Sequence, residues 1–317
     1  MRQVAIIGIG QTTVGEHWDL SVKDLAGQAV LAAMQDAGRE SVDGIFVGNM
    51  LSGILSKQEN IGAMVADWVG VLGIETMKVE AACGSGASAV RMGMIAVASG
   101  HLQSAIVVGV EKMTENLSVE TTAALSTAAD ADYEAAMGLS FVAINALVMK
   151  RYLHTYKWKH TDFSNFSINA HSNAMSNPYA RLHTRITQEE YNKARMVAAP
   201  INLLDASPIG DGAAAVLIVP TETLFSTSKP VISIVGSASS TDSIAIHSRK
   251  DPLWLSASEK SARKAYSQAG IEPKDVDVFE LHDAFSIMSA LSLEACGFAE
   301  RGRAGARGCP ATRAARG

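Results

Sequence analysis

Short β-branched runs alternate with helix-periodic stretches through the first third of this 317-residue chain, and that rhythm restricts the fold more than any other feature. Residues 4–9 form an apolar run that Gly8 and Gly10 interrupt, as in a strand buried on both faces. Residues 20–37 place apolar side chains at helical spacing, with Ser21 set to cap the N-terminus and Gly38 to stop the helix. The same reading gives strands at 45–47, 76–81 and 105–110, and helices at 57–69 and 84–99, the last closed by Gly100. A βαβαβαβ order of this kind implies a mostly parallel sheet with helices on its faces.

The rhythm breaks near residue 112, and 112–200 reads as a long excursion or lid with helical patches such as 141–156. Strand signals resume at 213–219 and 231–235, followed by a helix at 258–269, a strand at 276–281 and a helix at 284–296. An internal echo links the two ends of the chain. Val4-Ala-Ile-Ile-Gly matches Ile232-Ser-Ile-Val-Gly, Gln35-Asp-Ala-Gly38 matches Ser267-Gln-Ala-Gly270, and Val42-Asp-Gly-Ile-Phe-Val matches Val276-Asp-Val-Phe-Glu-Leu. Three matched features in one order, about 230 residues apart, indicate two copies of a βαβ-type unit.

Composition removes several classes of function. A hydrophobic content of 48% with 19% charged residues suffices for a packed core and excludes disorder. A net charge of −5 argues against a nucleic-acid partner. Apolar runs fall far short of the ~20 residues that span a bilayer, and the start lacks a signal peptide. Three unevenly spaced cysteines make neither a disulfide framework nor a paired zinc site. The expectation is a cytoplasmic protein with reduced thiols, no metal and no membrane span. Residues 301–317 stand apart: they hold only Arg, Gly, Ala, Cys, Pro and Thr, including five of the 27 basic residues. Such a segment is not expected to pack as the core does, and it resembles GC-rich coding sequence read in the wrong frame or a basic tail.

Cys83 is the sharpest chemical signal. It follows the strand at 76–81 and opens a helix of small residues, Gly84-Ser-Gly-Ala-Ser-Ala. A cysteine on a strand-to-helix turn sits at the positive end of the helix dipole, which favours the thiolate, and the small residues let a substrate approach. Its bland reading is a small buried hydrophobe. His282 ends the 276–281 strand and precedes Asp283-Ala-Phe at a helix start, the carboxyl edge where parallel sheets place their sites. A structural histidine is the alternative. Gly8-Ile-Gly10 after a first strand suggests a dinucleotide loop, but Thr13 stands where a third glycine is needed, so no nicotinamide site is expected.

Four segments resemble motifs of the thiolase superfamily in matching order: Val79-Glu-Ala-Ala-Cys83-Gly-Ser-Gly-Ala, Val107-Val-Gly-Val-Glu-Lys-Met113, Asp211-Gly-Ala-Ala-Ala-Val and Glu280-Leu-His-Asp-Ala-Phe285. The His-Asp-Ala-Phe form is similar to the sterol-carrier-protein thiolase branch and its archaeal acetyl-CoA acetyltransferase relatives. The resemblance implies an α/β fold of two βαβαβαββ halves, helices layered on mixed sheets, with the second half incomplete. It divides the chain into an N-terminal half at 1–111 and 200–220, a loop or lid region at 112–199, a partial C-terminal half at 221–300 and an aberrant tail at 301–317.

The resemblance further implies an acyltransferase of lipid metabolism that condenses acetyl-CoA or thiolyses 3-ketoacyl-CoA. Cys83 would take the acyl group as a thioester, and His282, with a water, would help form the oxyanion hole. Coenzyme A enters as the substrate's carrier, so no separate cofactor is expected, and CoA would lie against 112–200 and 236–247. A homodimer formed through the 105–110 strand and the small-residue helix is expected, as are a 3-hydroxy-3-methylglutaryl-CoA synthase and a small acyl-CoA-binding protein as partners. Thiolases also carry a Gly-His-Pro histidine that activates the cysteine and a late Cys-x-Gly cysteine that moves the substrate proton. Neither motif occurs in these 317 residues, and Cys309 takes no role. The expectation is an acyltransferase impaired by loss of its C-terminal motifs. A non-catalytic acyl-CoA- or lipid-binding scaffold and a Cys83–His282 thioester hydrolase are the competing readings.

Overall fold

The computed structural model describes residues 2–224 and 231–305. In chain order, β1 (Val4–Gln11), α1 (Val22–Ala37), β2 (Gly44–Gly48), α2 (Ser52–Leu55), α3 (Ile61–Val69), β3 (Glu75–Val79), α4 (Ser85–Ala98) and β4 (Ala105–Glu111) come first. Next are α5 (Ser118–Ser126), α6 (Phe141–Tyr156), α7 (Ser164–Ala174), α8 (Gln188–Lys193) and the short strands β5 (Met196–Ala198) and β6 (Ile201–Asn202). The remainder holds β7 (Gly212–Pro220), β8 (Ile232–Ser233), α9 (Ser256–Ala269) and α10 (Ser286–Ala295). The chain forms two compact units, 1–124 with 209–237 and 125–208 with 238–317.

The first unit is built on a six-stranded sheet of order β3-β2-β4-β7-β1-β8. The sheet is mixed rather than mostly parallel. β2 runs parallel to β3 and β4, but β7 lies antiparallel between β4 and β1, and β8 is antiparallel to β1. Hydrophobic rhythm reports a strand's burial but not its direction, so β7, arriving from 100 residues downstream of β4, could not be oriented from its pattern. Period-two alternation fills both faces. Ile45, Val47, Ile106, Val108, Leu217 and Val219 join α1 and α3 in one core, while Phe46, Val107 and Ile218 pack with Ala89 and Val97 of α4 in another.

α1 shows why a helix starts and stops where it does. Ser21 and Asp24 form a reciprocal capping box, and Gly38 ends the helix in the left-handed conformation. The Trp68 indole donates to Asp24 at 2.9 Å and ties α3 to this cap. Ser21→Ala should cost about 1 kcal/mol in urea denaturation, with the midpoint lowered and the slope unchanged.

Gly8 and Gly10 serve α1 and not a nucleotide. A Cβ at Gly8 would lie 2.2 Å from the Ala33 carbonyl oxygen, and one at Gly10 2.1 Å from that of Ala29. Glycine is required because the helix backbone rests directly on the strand. Gly48 does the same for α4: its Cβ would meet Gly86 Cα and Ser85 O at 2.7 Å, so the start of α4 sits on the carboxyl end of β2.

The strand at 105–110, expected to face a twin subunit, lies inside the sheet between β2 and β7 and has no free edge. The outermost strand on that side is β3.

The second unit has its own core, in which Met149, Tyr152, Phe163, Ile201, Phe285, Ile287 and Leu291 cluster. The internal echo persists at the level of α9, which stops at Gly270 with φ 69° as α1 stops at Gly38 with φ 62°. The expected strand at 276–281 does not form, and Val278 is 73% exposed. A strand needs ladder partners, and the one sheet of this unit among its described residues is the β5–β6 pair. The expected 231–235 strand is reduced to β8 and pairs with β1.

The expectation that the 301–317 segment cannot pack fails for its first residues. Ala304 is fully buried, its N–H donates to Glu294 at 3.1 Å, the Trp158 indole donates to Gly302 O at 2.8 Å, and Arg301 pairs with Asp251. Residues 306–317, with Cys309, lie outside the described residues.

Candidate active site

β3 ends at Val79, and four residues later Cys83 is presented at the mouth of α4. Ala82 adopts φ 48°, a left-handed conformation uncommon for a residue with a Cβ. The Ser85 side chain holds this turn: its hydroxyl accepts from Ala81 N at 2.9 Å and donates to Ala82 O at 2.6 Å. Gly84 N closes the turn on Ala81 O at 2.9 Å. A non-glycine residue held at positive φ stores about 1–3 kcal/mol, and such strain concentrates where a side chain must be aimed. Here it leaves Cys83 exposed at a helix whose cap residue, Gly84, contributes no side-chain hydrogen bond.

Because β2, β3 and β4 run parallel, their carboxyl ends gather at one edge. Glu111 closes β4 there, and its carboxylate accepts from Met50 N at 2.6 Å and Leu51 N at 3.3 Å in the loop after β2. Asn49 spans the same loop, donating to Val110 O at 2.7 Å and accepting from Ser52 N at 2.8 Å. Burial pushes the Glu111 carboxyl above the usual range, against the two N–H donors that hold it down.

These surroundings qualify one expectation. The start of α4 does not act alone on Cys83: desolvation by the packed elbow pushes the thiol up, and the Glu111 charge adds to the rise against an opposing backbone hydrogen bond. The packing around the elbow therefore works against the thiolate that the helix start favours. Iodoacetamide should alkylate Cys83 faster as pH rises above 7. Glu111→Gln should shift that profile to lower pH. A flat profile between pH 6 and 8 would show a thiolate already formed.

A second polar centre lies in the same unit. Asp211, whose side chain is wholly buried, accepts from Lys112 Nζ at 3.0 Å, Met113 N at 2.7 Å, Thr114 N at 3.0 Å, Thr114 Oγ1 at 2.6 Å and His17 N at 3.1 Å. Burial alone would raise its pKa, but the Thr114 hydroxyl, the Met113 and His17 amides and Lys112 bring it down to about 2. Both residues fall in motifs quoted above, yet neither was singled out from sequence. The available signal was a charge following the buried run 105–110 in one motif and an aspartate opening β7 in the other.

His282 belongs to the second unit and Cys83 to the first, and each is placed here within its own unit. His282 is exposed, outside any strand or helix rather than at a strand end, and four residues before α10. The three residues after it are fastened to 206–207. Ala206 bridges Phe285, Ser207 N donates to Ala284 O at 3.1 Å, and Ser207 Oγ donates to Asp283 O at 2.9 Å. No group of three or more metal-ligating side chains occurs among the described residues, and no described helix is long and apolar enough to cross a membrane.

The fold and this elbow define an α/β protein that aims a cysteine from the carboxyl edge of a mixed sheet. Comparison with known proteins makes the class specific. The family model "Thiolase, N-terminal domain" matches residues 4–222, and "Thiolase C-terminal domain-like" matches residues 238–314. The acetyl-CoA acetyltransferases of Methanothermobacter thermautotrophicus and Methanocaldococcus jannaschii are each 40% identical to this chain, over 96% of its length and 80% and 78% of theirs. The solved Ltp2-ChsH2(DUF35) aldolase superposes with a TM-score of 0.83 at 25% identity, covering 96% of this chain and 79% of that one. Human mitochondrial 3-ketoacyl-CoA thiolase in complex with CoA shares the fold, with a TM-score of 0.71 over 93% of this chain and 82% of that one. The chain belongs to the thiolase family and is, by family, an acyltransferase.

Proposed function

We propose that Cys83 accepts an acyl group from an acyl-CoA thioester, in the manner of acetyl-CoA condensation or 3-ketoacyl-CoA thiolysis. The Cys83 thiol loses its proton, the sulfur attacks the thioester carbonyl, and the C–S bond to CoA breaks as CoA leaves as its thiol. The observation that carries this reading is the strained, exposed Cys83 elbow in a chain 40% identical to two acetyl-CoA acetyltransferases. His282, with a water, is assigned to the oxyanion that forms on the thioester oxygen. CoA is substrate, and no further cofactor is proposed.

Turnover by these 317 residues on their own is proposed to be impaired, because they contain no Gly-His-Pro and no Cys-x-Gly. A homodimer is proposed, with the outermost strand β3 offering the free edge. A small partner protein is proposed as well, supported by the structural neighbour named Ltp2-ChsH2(DUF35) aldolase.

The test is release of CoA from acetyl-CoA, followed with a thiol reagent. The expected trace rises by at most one equivalent per chain and then stops. Continuous release with acetate accumulation would favour a thioester hydrolase. No release, with acetyl-CoA nonetheless bound, would favour a binding scaffold.

A further inference from the structure

Asp205 is a buried carboxylate that lies outside the site described above, and every one of its contacts is built. Its Oδ1 accepts from Tyr191 OH and from Ser286 Oγ, both at 2.5 Å. Its Oδ2 accepts from His160 Nε2 at 2.6 Å and Asn202 N at 2.9 Å. Tyr191 OH also lies 3.0 Å from His160 Nε2, and the two rings stack at 5.1 Å. Asn202 caps the turn that carries Asp205, accepting from Leu204 N and Asp205 N, and it donates to Tyr191 O at 2.8 Å. Tyr191, Asn202 and the Asp205 side chain are wholly buried.

This network is anchored on one side in residues 160–205 and on the other at one residue, Ser286, the first of α10. From Asp205 the chain runs antiparallel to 283–286, so the Ser286–Asp205 bond is continuous with the bonds of Ser207 to Asp283 and Ala284 and with the Ala206–Phe285 bridge. His282 is the next residue back. Its imidazole makes no hydrogen bond among the described residues, so its position is inherited from the backbone that this clamp holds.

We propose that Asp205, gripping Ser286, is the positioning residue that sets where His282 stands. The proposal rests on the oxyanion role assigned to His282 under the proposed function. A buried carboxylate with four donors is stiff, because moving it would leave buried polar groups unpaired. A group that must meet a developing oxyanion loses about a hundredfold in rate for a displacement near 1 Å, so such stiffness has a catalytic use.

The test uses the full 317-residue chain with acetyl-CoA as the probe. Ser286→Ala deletes one hydroxyl and leaves the Tyr191, His160 and Asn202 bonds to Asp205 in place, so it should fold. Asp205→Asn is the harsher companion. Hydrogen exchange by mass spectrometry reads the 282–286 backbone, and intact mass reads acetylation of Cys83 against acetyl-CoA concentration.

Ser286→Ala should exchange about tenfold faster over 282–286. Its saturating acetylation rate should fall about tenfold, with the half-saturating concentration within twofold of the original. A saturating rate unchanged in Ser286→Ala overturns the proposal, whatever the exchange shows. His282→Ala separates the two readings. Slow acetylation in His282→Ala beside a normal rate in Ser286→Ala rejects the clamp alone, whereas a normal rate in His282→Ala rejects the oxyanion role and the clamp with it.

Discussion

Steady-state thiolysis of acetoacetyl-CoA by the 317-residue chain should run near background, even with Cys83 taking up an acetyl group as proposed. Condensation and thiolysis need a base to take the cysteine proton and a group to move the substrate's α-proton. The first need matters here, since desolvation at the elbow and the Glu111 charge push the Cys83 thiol above its ordinary value. Losing one general base costs ~10²–10⁴-fold, and groups that act as a unit can cost far more. Neither the Gly-His-Pro nor the Cys-x-Gly motif occurs in these residues. Turnover at rates ordinary for enzymes, about 1–10³ per second, would show that another residue supplies the base.

Asp211→Ala should be the most destabilising single substitution in the first unit. It would take the buried partner from the Lys112 ammonium, whose side chain is only 4% exposed and which keeps Glu115 and the His17 carbonyl, and leave the amides of Met113, Thr114 and His17 without their acceptor. Breaking a buried pair by removing one partner costs about 3–5 kcal/mol. The pH dependence follows from the direction of the shift. Asp211 has a folded pKa of about 2 against an ordinary 3.8, so its contribution is complete above pH 4 and is lost as pH falls toward 2. Denaturant midpoints of the original and Asp211→Ala should therefore differ most at neutral pH and converge in acid. Equal midpoints at pH 7 would contradict the hub.

Much of the first unit could be read from residue order because its signals are local. The Ser21 cap, the Gly38 stop, the alternation in β2 and β4 and the Cys83 turn all depend on neighbours within a few positions. What sequence did not supply depends on distant partners. Gly8 and Gly10 look like a ligand loop until α1 is seen resting on them. The direction of β7 is set by insertion between β4 and β1, and residues 276–281 have strand composition but no ladder to join. The helix dipole favours a thiolate at Cys83, whereas desolvation, a property of the packed elbow that residue order does not show, pushes the thiol up. Asp205 and Asp211 became visible only when donors 45 and 99 positions away were found on them.

The central claim is that Cys83 is the acyl acceptor, and site-mapped mass spectrometry after incubation with acetyl-CoA tests it most directly. The account predicts one slowly formed acetyl adduct per chain, on the peptide that contains Cys83, faster at pH 9 than at pH 7 and absent from Cys83→Ser. An adduct on Cys296, or one that persists in Cys83→Ser, would contradict it.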